Sequence, residues 1–109
     1  PLEVVQRSIE GSMCFGIYQG AQQVGFARLI TDQATFGYLA DVFIDETLRG
    51  QGLGKMLMRY IMALDFMPNL RNTLLGTRDA HSLYAQFGFA PLKAPERFMQ
   101  INRPTIYQQ

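Results

Sequence analysis

Cysteine is nearly absent: Cys14 stands alone. No internal disulfide can form, which suits a reducing, cytoplasmic setting. Cys14 itself reads as a small buried apolar residue in a strand rather than as a nucleophile. Charge is also scarce, at 17% of residues with a net charge of +1. A protein that neutralises phosphates along nucleic acid needs more, and no basic stripe with interleaved aromatics is found. No apolar run approaches the ~18 residues of a membrane span, because Arg59, Asp65 and Pro68 break the longest candidate. A secretory signal would need a basic start and an apolar centre, whereas the chain opens Pro-Leu-Glu. An opening Pro1 without methionine fits a processed chain or a fragment. Neither nucleic acid nor membrane is an expected partner, and no metal is called for.

What is present is enough for one domain, 1–109, with a modest core drawn from a 48% hydrophobic composition. Its centre is Arg49-Gly50-Gln51-Gly52-Leu53-Gly54-Lys55. Three glycines at alternate positions leave a run of backbone N–H groups with no side chains in front of them. The residues that follow, with Leu53, Leu57, Tyr60 or Ile61, and Leu64 at steps of three and four, read as an amphipathic helix. Unpaired amides and the positive end of a helix dipole then converge, and Arg49 and Lys55 add charge. The plain alternative, a flexible connecting loop, fits three alternate glycines between two cations poorly. The pattern departs from a Walker-type loop, since Arg49 stands where its first glycine belongs and Met56 follows the lysine where a hydroxyl is needed. The dinucleotide fingerprint fails because its third glycine would fall on Lys55 or Leu57.

Taken in order, Leu2 to Ile9 reads as a short helix with Leu2, Val5 and Ile9 on one side, ended by Gly11. Met13 to Tyr18, Gln23 to Ile30 and Phe36 to Ile44 read as three strands with short turns, an antiparallel meander. A further strand lies within Leu70 to Thr77. The strand–helix–strand unit from Phe36 to Thr77 is a crossover, so its strands should be parallel neighbours. Asp79 is placed to cap a helix from Ala80 to Phe87, with Gly88 and Pro91 beyond it. Arg97 to Ile101 can close the sheet. The order of elements gives an α+β domain with a mixed sheet flanked by helices.

Arg49, Gly52 and Gly54, read as Arg-x-x-Gly-x-Gly after an apolar strand, resemble the pyrophosphate loop of the GNAT N-acetyltransferases, which holds acetyl-coenzyme A. A second motif, Leu83-Tyr84-Ala85-Gln86-Phe87-Gly88-Phe89, is similar to the Leu-Tyr…Gly-Phe segment that follows in that family, in the right order and at the right separation. The tail through Pro95-Glu96-Arg97-Phe98-Met99 also looks like that of bacterial members. The resemblance runs from about Met13 to Ile101. It implies a GNAT-like sheet that here lacks the usual N-terminal strand and part of the first helices. That leaves Met13–Tyr18 as an exposed edge, covered by a partner chain such as a second copy, or by a missing segment.

The resemblance also implies roles. Amides of Gly50, Gln51, Gly52, Leu53, Gly54 and Lys55, with Arg49 beside them, would take the pyrophosphate. Backbone groups of Val42, Phe43 and Ile44 would bind the pantetheine arm as an added strand, and an N–H near Val42 or Phe43 could polarise the thioester. Tyr84, protonated at neutral pH, is the candidate general acid; its alternative is a core tyrosine. Asp41 is the candidate base, since strand alternation sets this sole charge of Tyr38 to Ile44 on the face of Leu39 and Phe43, partly buried. Its alternatives are an exposed place at a bulge or a simple attraction for a cation. His81, a helical turn before Tyr84, and Arg78 are outside candidates. The expected activity is acetyl transfer from acetyl-CoA to a primary amine of a small molecule or peptide. The alternatives are a non-catalytic acyl-CoA-binding module, a truncated pseudoenzyme, or a structural dimerisation domain.

Overall fold

A computed structural model describes residues 1–107. Helix α1 (Leu2–Glu10) leads into strands β1 (Met13–Gln19), β2 (Gln22–Thr31) and β3 (Phe36–Ile44). Helix α2 (Leu53–Met62) then crosses to strand β4 (Asn72–Leu75), and a short helix α3 (His81–Ala85) follows. The sheet order is β1-β2-β3-β4, with antiparallel pairs β1·β2 and β2·β3 and a parallel pair β3·β4. The meander and the crossover stand as the sequence pattern predicts.

The core lies between the sheet and α2. Leu29, Met58 and Ile61 are fully enclosed, joined by Ala27, Leu39, Leu57, Met67 and Tyr84. Leu57, Met58 and Ile61 form the buried face of α2, and truncating any of them would cost about 2–5 kcal/mol. Between β2 and β3 the Asp32 carboxylate gathers the N–H groups of Ala34, Thr35 and Phe36 and the Thr35 hydroxyl. These bonds hold its carboxyl well below the usual range, the Thr35 hydroxyl contributing most. That turn fixes the β2–β3 register.

The register nevertheless slips once along this pair. Phe26 faces Phe43 and Arg28 faces Ala40, so Ala27 alone stands opposite Asp41 and Val42. This is a β-bulge, and Asp41 adopts a left-handed φ of 55° within it. Before the bulge Gly37 and Leu39 point inward; after it Val42 and Ile44 do.

Other expectations are corrected. Cys14 is exposed, because it falls on the outward side of β1. Leu2, Val5 and Ile9 of α1 face solvent, and no residue of that helix is buried. Helix α3 is shorter than Ala80 to Phe87, and its cap position is Ala80, whose N–H donates to Thr77 Oγ1 at 3.0 Å, not Asp79. Residues 97–101 form no closing strand: a 3-10 turn at Pro95–Arg97 precedes a stretch without a ladder. Strand propensity there meets no sheet edge, and without a partner it produces no strand. No helix among the described residues is long and apolar enough to cross a membrane.

Candidate active site

The glycine segment sits where the chain turns from β3 into α2. Asp45 ends the strand and caps a 3-10 turn at Glu46–Leu48, its Oδ1 accepting from Thr47 N (3.0 Å) and Thr47 Oγ1 (2.8 Å). Those two bonds hold the Asp45 carboxyl below its ordinary value. Gly50 and Gly52 then take φ of 84° and 82°, with open space where a Cβ would be. A side chain at either would be strained by the backbone itself. Gly52 occupies the N-cap of α2 and offers no side chain to the helix.

The hydrogen bonds of this segment can be followed atom by atom. Arg49 N donates to Glu46 O, and Met56 N donates to Gly52 O at 3.0 Å. Among the described residues, the N–H groups of Gly50, Gln51, Gly52, Leu53, Gly54 and Lys55 have no acceptor. Consecutive free amides bent by left-handed glycines, at the positive end of α2, are a donor set that suits an anion. Arg49 reaches back, Nε donating to Ile44 O at 3.4 Å, and so ties the loop to the end of β3.

A second feature lies where β3 and β4 part. Their pairing runs from Phe36↔Asn72 to Leu39↔Leu75 and stops. Beyond it, the β4-facing edge of β3 has lost its neighbour along Ala40, Asp41, Val42, Phe43 and Ile44. The gap opens into a cleft of about 580 Å³ lined by residues 38–42, residues 75–80, Arg28 and Tyr84. Tyr84 is 7% exposed, and its ring meets Phe89 edge-on at 6.0 Å. Its hydroxyl finds no hydrogen-bond partner among the described residues yet is not sealed from solvent, so it faces open space. Burial raises its pKa above the ordinary tyrosine value. A smaller cleft of about 360 Å³ that also includes Tyr84 is lined by His81, Leu75, Phe89 and Leu92.

Asp41 joins this cleft by a route that alternation does not anticipate. It lies on the face opposite Leu39, its side chain is 62% exposed, and Arg28 Nε donates to its Oδ2 at 2.9 Å. The bulge is the reason: an extra residue reverses the inward–outward order, so the expected partly buried place beside Leu39 does not exist. Arg28 is the residue sequence reasoning missed. Its signal was present, as the sole charge of the β2 run paired with the sole charge of the β3 run. The structure brings Asp41, Val42 and Tyr84 to one cleft. It does not put the glycine loop in that lining; the link is α2, where a Cβ on Gly54 would lie 3.6 Å from Leu83 of α3. His81 is exposed and lies only in the smaller cleft.

A family model described as the acetyltransferase (GNAT) domain matches residues 10–91. The chain belongs to the GNAT acetyltransferases. A crystal structure of a candidate GNAT acetyltransferase from Xanthomonas campestris pv. campestris is 46% identical, with a TM-score of 0.94, covering 100% of this chain and 77% of that one. A Gibberella zeae protein described as a candidate acetyltransferase is 31% identical over 105 residues, covering 79% of this chain. The GNAT chain spans 59% of that relative's length. An Elizabethkingia anophelis GNAT acetyltransferase solved with acetyl-CoA bound shares the fold, with a TM-score of 0.66 at 15% identity, covering 83% of this chain and 61% of that one. The mixed sheet is thus that of a GNAT domain.

Proposed function

We propose that this GNAT domain transfers an acetyl group from acetyl-CoA to a primary amine of a small molecule or peptide, by direct attack with both substrates bound. The observation that carries the reading is the row of six acceptor-less amides at the mouth of α2, together with a sheet gap lined by Tyr84. A diphosphate suits those amides, because each N–H is already oriented and nothing in the chain must be displaced. The unpaired edge of β3 suits a pantetheine arm, whose amides can bond it as a further strand would. When bound, acetyl-CoA supplies the acyl group as a thioester and leaves as a thiol.

The chain's own residues do the rest. The arriving amine must lose a proton, the new N–C bond replaces C–S, and the sulfur must gain a proton. Asp41 takes the first proton, directly or through water, since its exposed carboxylate opens on the cleft. Tyr84 gives the second, being protonated at neutral pH and having no competing protein partner. An N–H near Val42 or Phe43, freed where β4 diverges, draws charge from the thioester carbonyl. The exposed Cys14 fits a reducing, cytoplasmic setting.

The test has two arms. Calorimetric titration with acetyl-CoA should show binding, and thiol release should follow when primary amines are added. Binding without turnover across a broad amine panel would instead make the domain an acyl-CoA-binding module. No binding at all would leave a structural role for the loop.

A further inference from the structure

Two carboxylates line the cleft between β3 and β4, Asp41 and Asp79, and they are held differently. Asp79 is exposed and makes no ion pair among the described residues. Asp41 Oδ2 accepts from Arg28 Nε at 2.9 Å, the single donor to that carboxylate among the described residues, and Oδ1 is left free. The two members of the pair differ in exposure: the Arg28 side chain is 17% exposed and that of Asp41 62%. The guanidinium is the anchored member, and the carboxylate is the one offered to solvent and to the cleft.

Asp41 needs such an anchor. It sits in the bulge with a φ of 55°, and an exposed side chain without a partner would populate several rotamers. A base acts only within about 2.6–3.2 Å of the proton it takes. Misplacing a reacting group by about 1 Å can cost on the order of 10²-fold. The form of the bond suits this need. Nε is the guanidinium nitrogen nearest the backbone, so it moves least as the side chain flexes. One bond from it restrains the carboxylate and keeps Oδ1 whole as a proton acceptor, whereas a two-bonded fork would engage both oxygens.

We propose that Arg28 is a positioning residue for acetyl transfer. Through Nε it fixes the Asp41 carboxylate so that Oδ1 takes the proton from the acceptor nitrogen, directly or through one water. Arg28 itself neither gains nor loses a proton and does not touch the reacting atoms. The inference rests on the acetyl-transfer reading above and adds to it a residue from a different strand.

The experiment is a double-mutant cycle between Arg28 and Asp41. Methionine matches the arginine stem and carries no donor, whereas glutamine places an uncharged N–H donor where arginine has Nε. Acetyl-CoA binding, measured first by calorimetry, should be unchanged in each variant, since Arg28 lies outside the glycine loop. In Arg28→Met, kcat should fall about tenfold to hundredfold, and Arg28→Gln should recover most of that loss. In an Asp41→Gly background, Arg28→Met should move kcat by no more than about twofold, because the group it positions is gone. An equal fall in both backgrounds would mean that Arg28 acts on its own, by supporting the sheet or by touching the acceptor, and would overturn the proposal. Glutamine no better than methionine would assign the effect to charge and overturn it too. If urea unfolding shows that Arg28→Met does not fold, Arg28→Lys takes its place in the cycle, its nitrogen lying one bond beyond the Nε position. Wild-type turnover in Asp41→Gly would overturn the proposal while leaving acetyl transfer standing. Acetyl-CoA binding with no transfer to any amine would overturn that reading and this proposal together.

Discussion

Arg28 Nε lies 2.9 Å from Asp41 Oδ2, and this ion pair bridges two strands at the point where their register slips. The pair and the bulge are mutually dependent. The extra residue turns Asp41 out of the core, and the arginine on the neighbouring strand then has a carboxylate within reach. Asp41 accepts a left-handed φ of 55° there, a conformation that non-glycine residues rarely take.

Asp41→Gly separates stability from function. Glycine relieves the left-handed backbone, a gain of up to about 1 kcal/mol. The exposed ion pair that is lost is worth about 0–1 kcal/mol. Urea unfolding should thus show little change, or a slight gain. Acetyl transfer should fall by about 10²- to 10⁴-fold, the usual contribution of a general base. Loss of stability with activity retained would contradict the assignment.

Tyr84→Phe keeps the edge-on contact with Phe89 and removes a hydroxyl that has no protein partner. Stability should stay within about 0.5 kcal/mol, and calorimetry should find acetyl-CoA binding intact. Turnover should drop by about 10²- to 10⁴-fold. Because burial raises the Tyr84 pKa, the acid stays protonated past the ordinary tyrosine value. The alkaline fall in kcat should lie above pH ~10 and be absent from the variant. Wild-type turnover in Tyr84→Phe would remove it from the mechanism.

The glycine loop offers a contrast between neighbours. At Gly52, φ 82°, alanine should cost about 1–2 kcal/mol in thermal or chemical unfolding. At Gly54 the helix accommodates a Cβ, the nearest atom being Leu83 Cδ2 at 3.6 Å. Gly54→Glu should therefore fold, and an acidic residue in the first helical turn is itself favourable. Placed before the free amides, its carboxylate should weaken acetyl-CoA binding at least about tenfold to hundredfold in a calorimetric titration.

Asp32 makes stability depend on pH in acid. Its folded carboxyl is held well below the usual value, so the stabilisation is complete above the unfolded pKa of about 3.9 and lost as pH falls toward the folded one. Asp32→Asn cannot titrate. The stability difference between the two proteins, measured by denaturant unfolding, should be full at pH 6 and shrink below about pH 4. A difference that is constant from pH 6 to pH 3 would mean that the turn does not hold the carboxylate.

Much of the site was legible in the chain. Alternate glycines before an apolar stripe at helical spacing predict free amides at a helix mouth, and Gly50 to Lys55 provide them. The Leu83 to Phe89 segment singled out Tyr84, and the structure puts that residue in the lining of the sheet gap. Where reasoning failed, it extended a period past a local defect. Unbroken alternation through Phe36 to Ile44 assigns Asp41 to the inner face with Leu39, whereas the exposed place at a bulge, the alternative the sequence also allowed, is the one the structure has. Cys14, the α1 stripe and residues 97–101 failed for a related reason. Their chemistry states a preference for burial or pairing, and only a neighbour can satisfy it.

Local composition by itself determined the strands β1 to β4, the helix α2 and which backbone stays bare, because steric and capping preferences act over a few residues. The tertiary structure decided which way Asp41 points, that Arg28 reaches it, and that four charges share one cleft with Tyr84. Strand register and the parting of β3 from β4 arise from contacts between segments far apart in the chain, and no short window of sequence contains them.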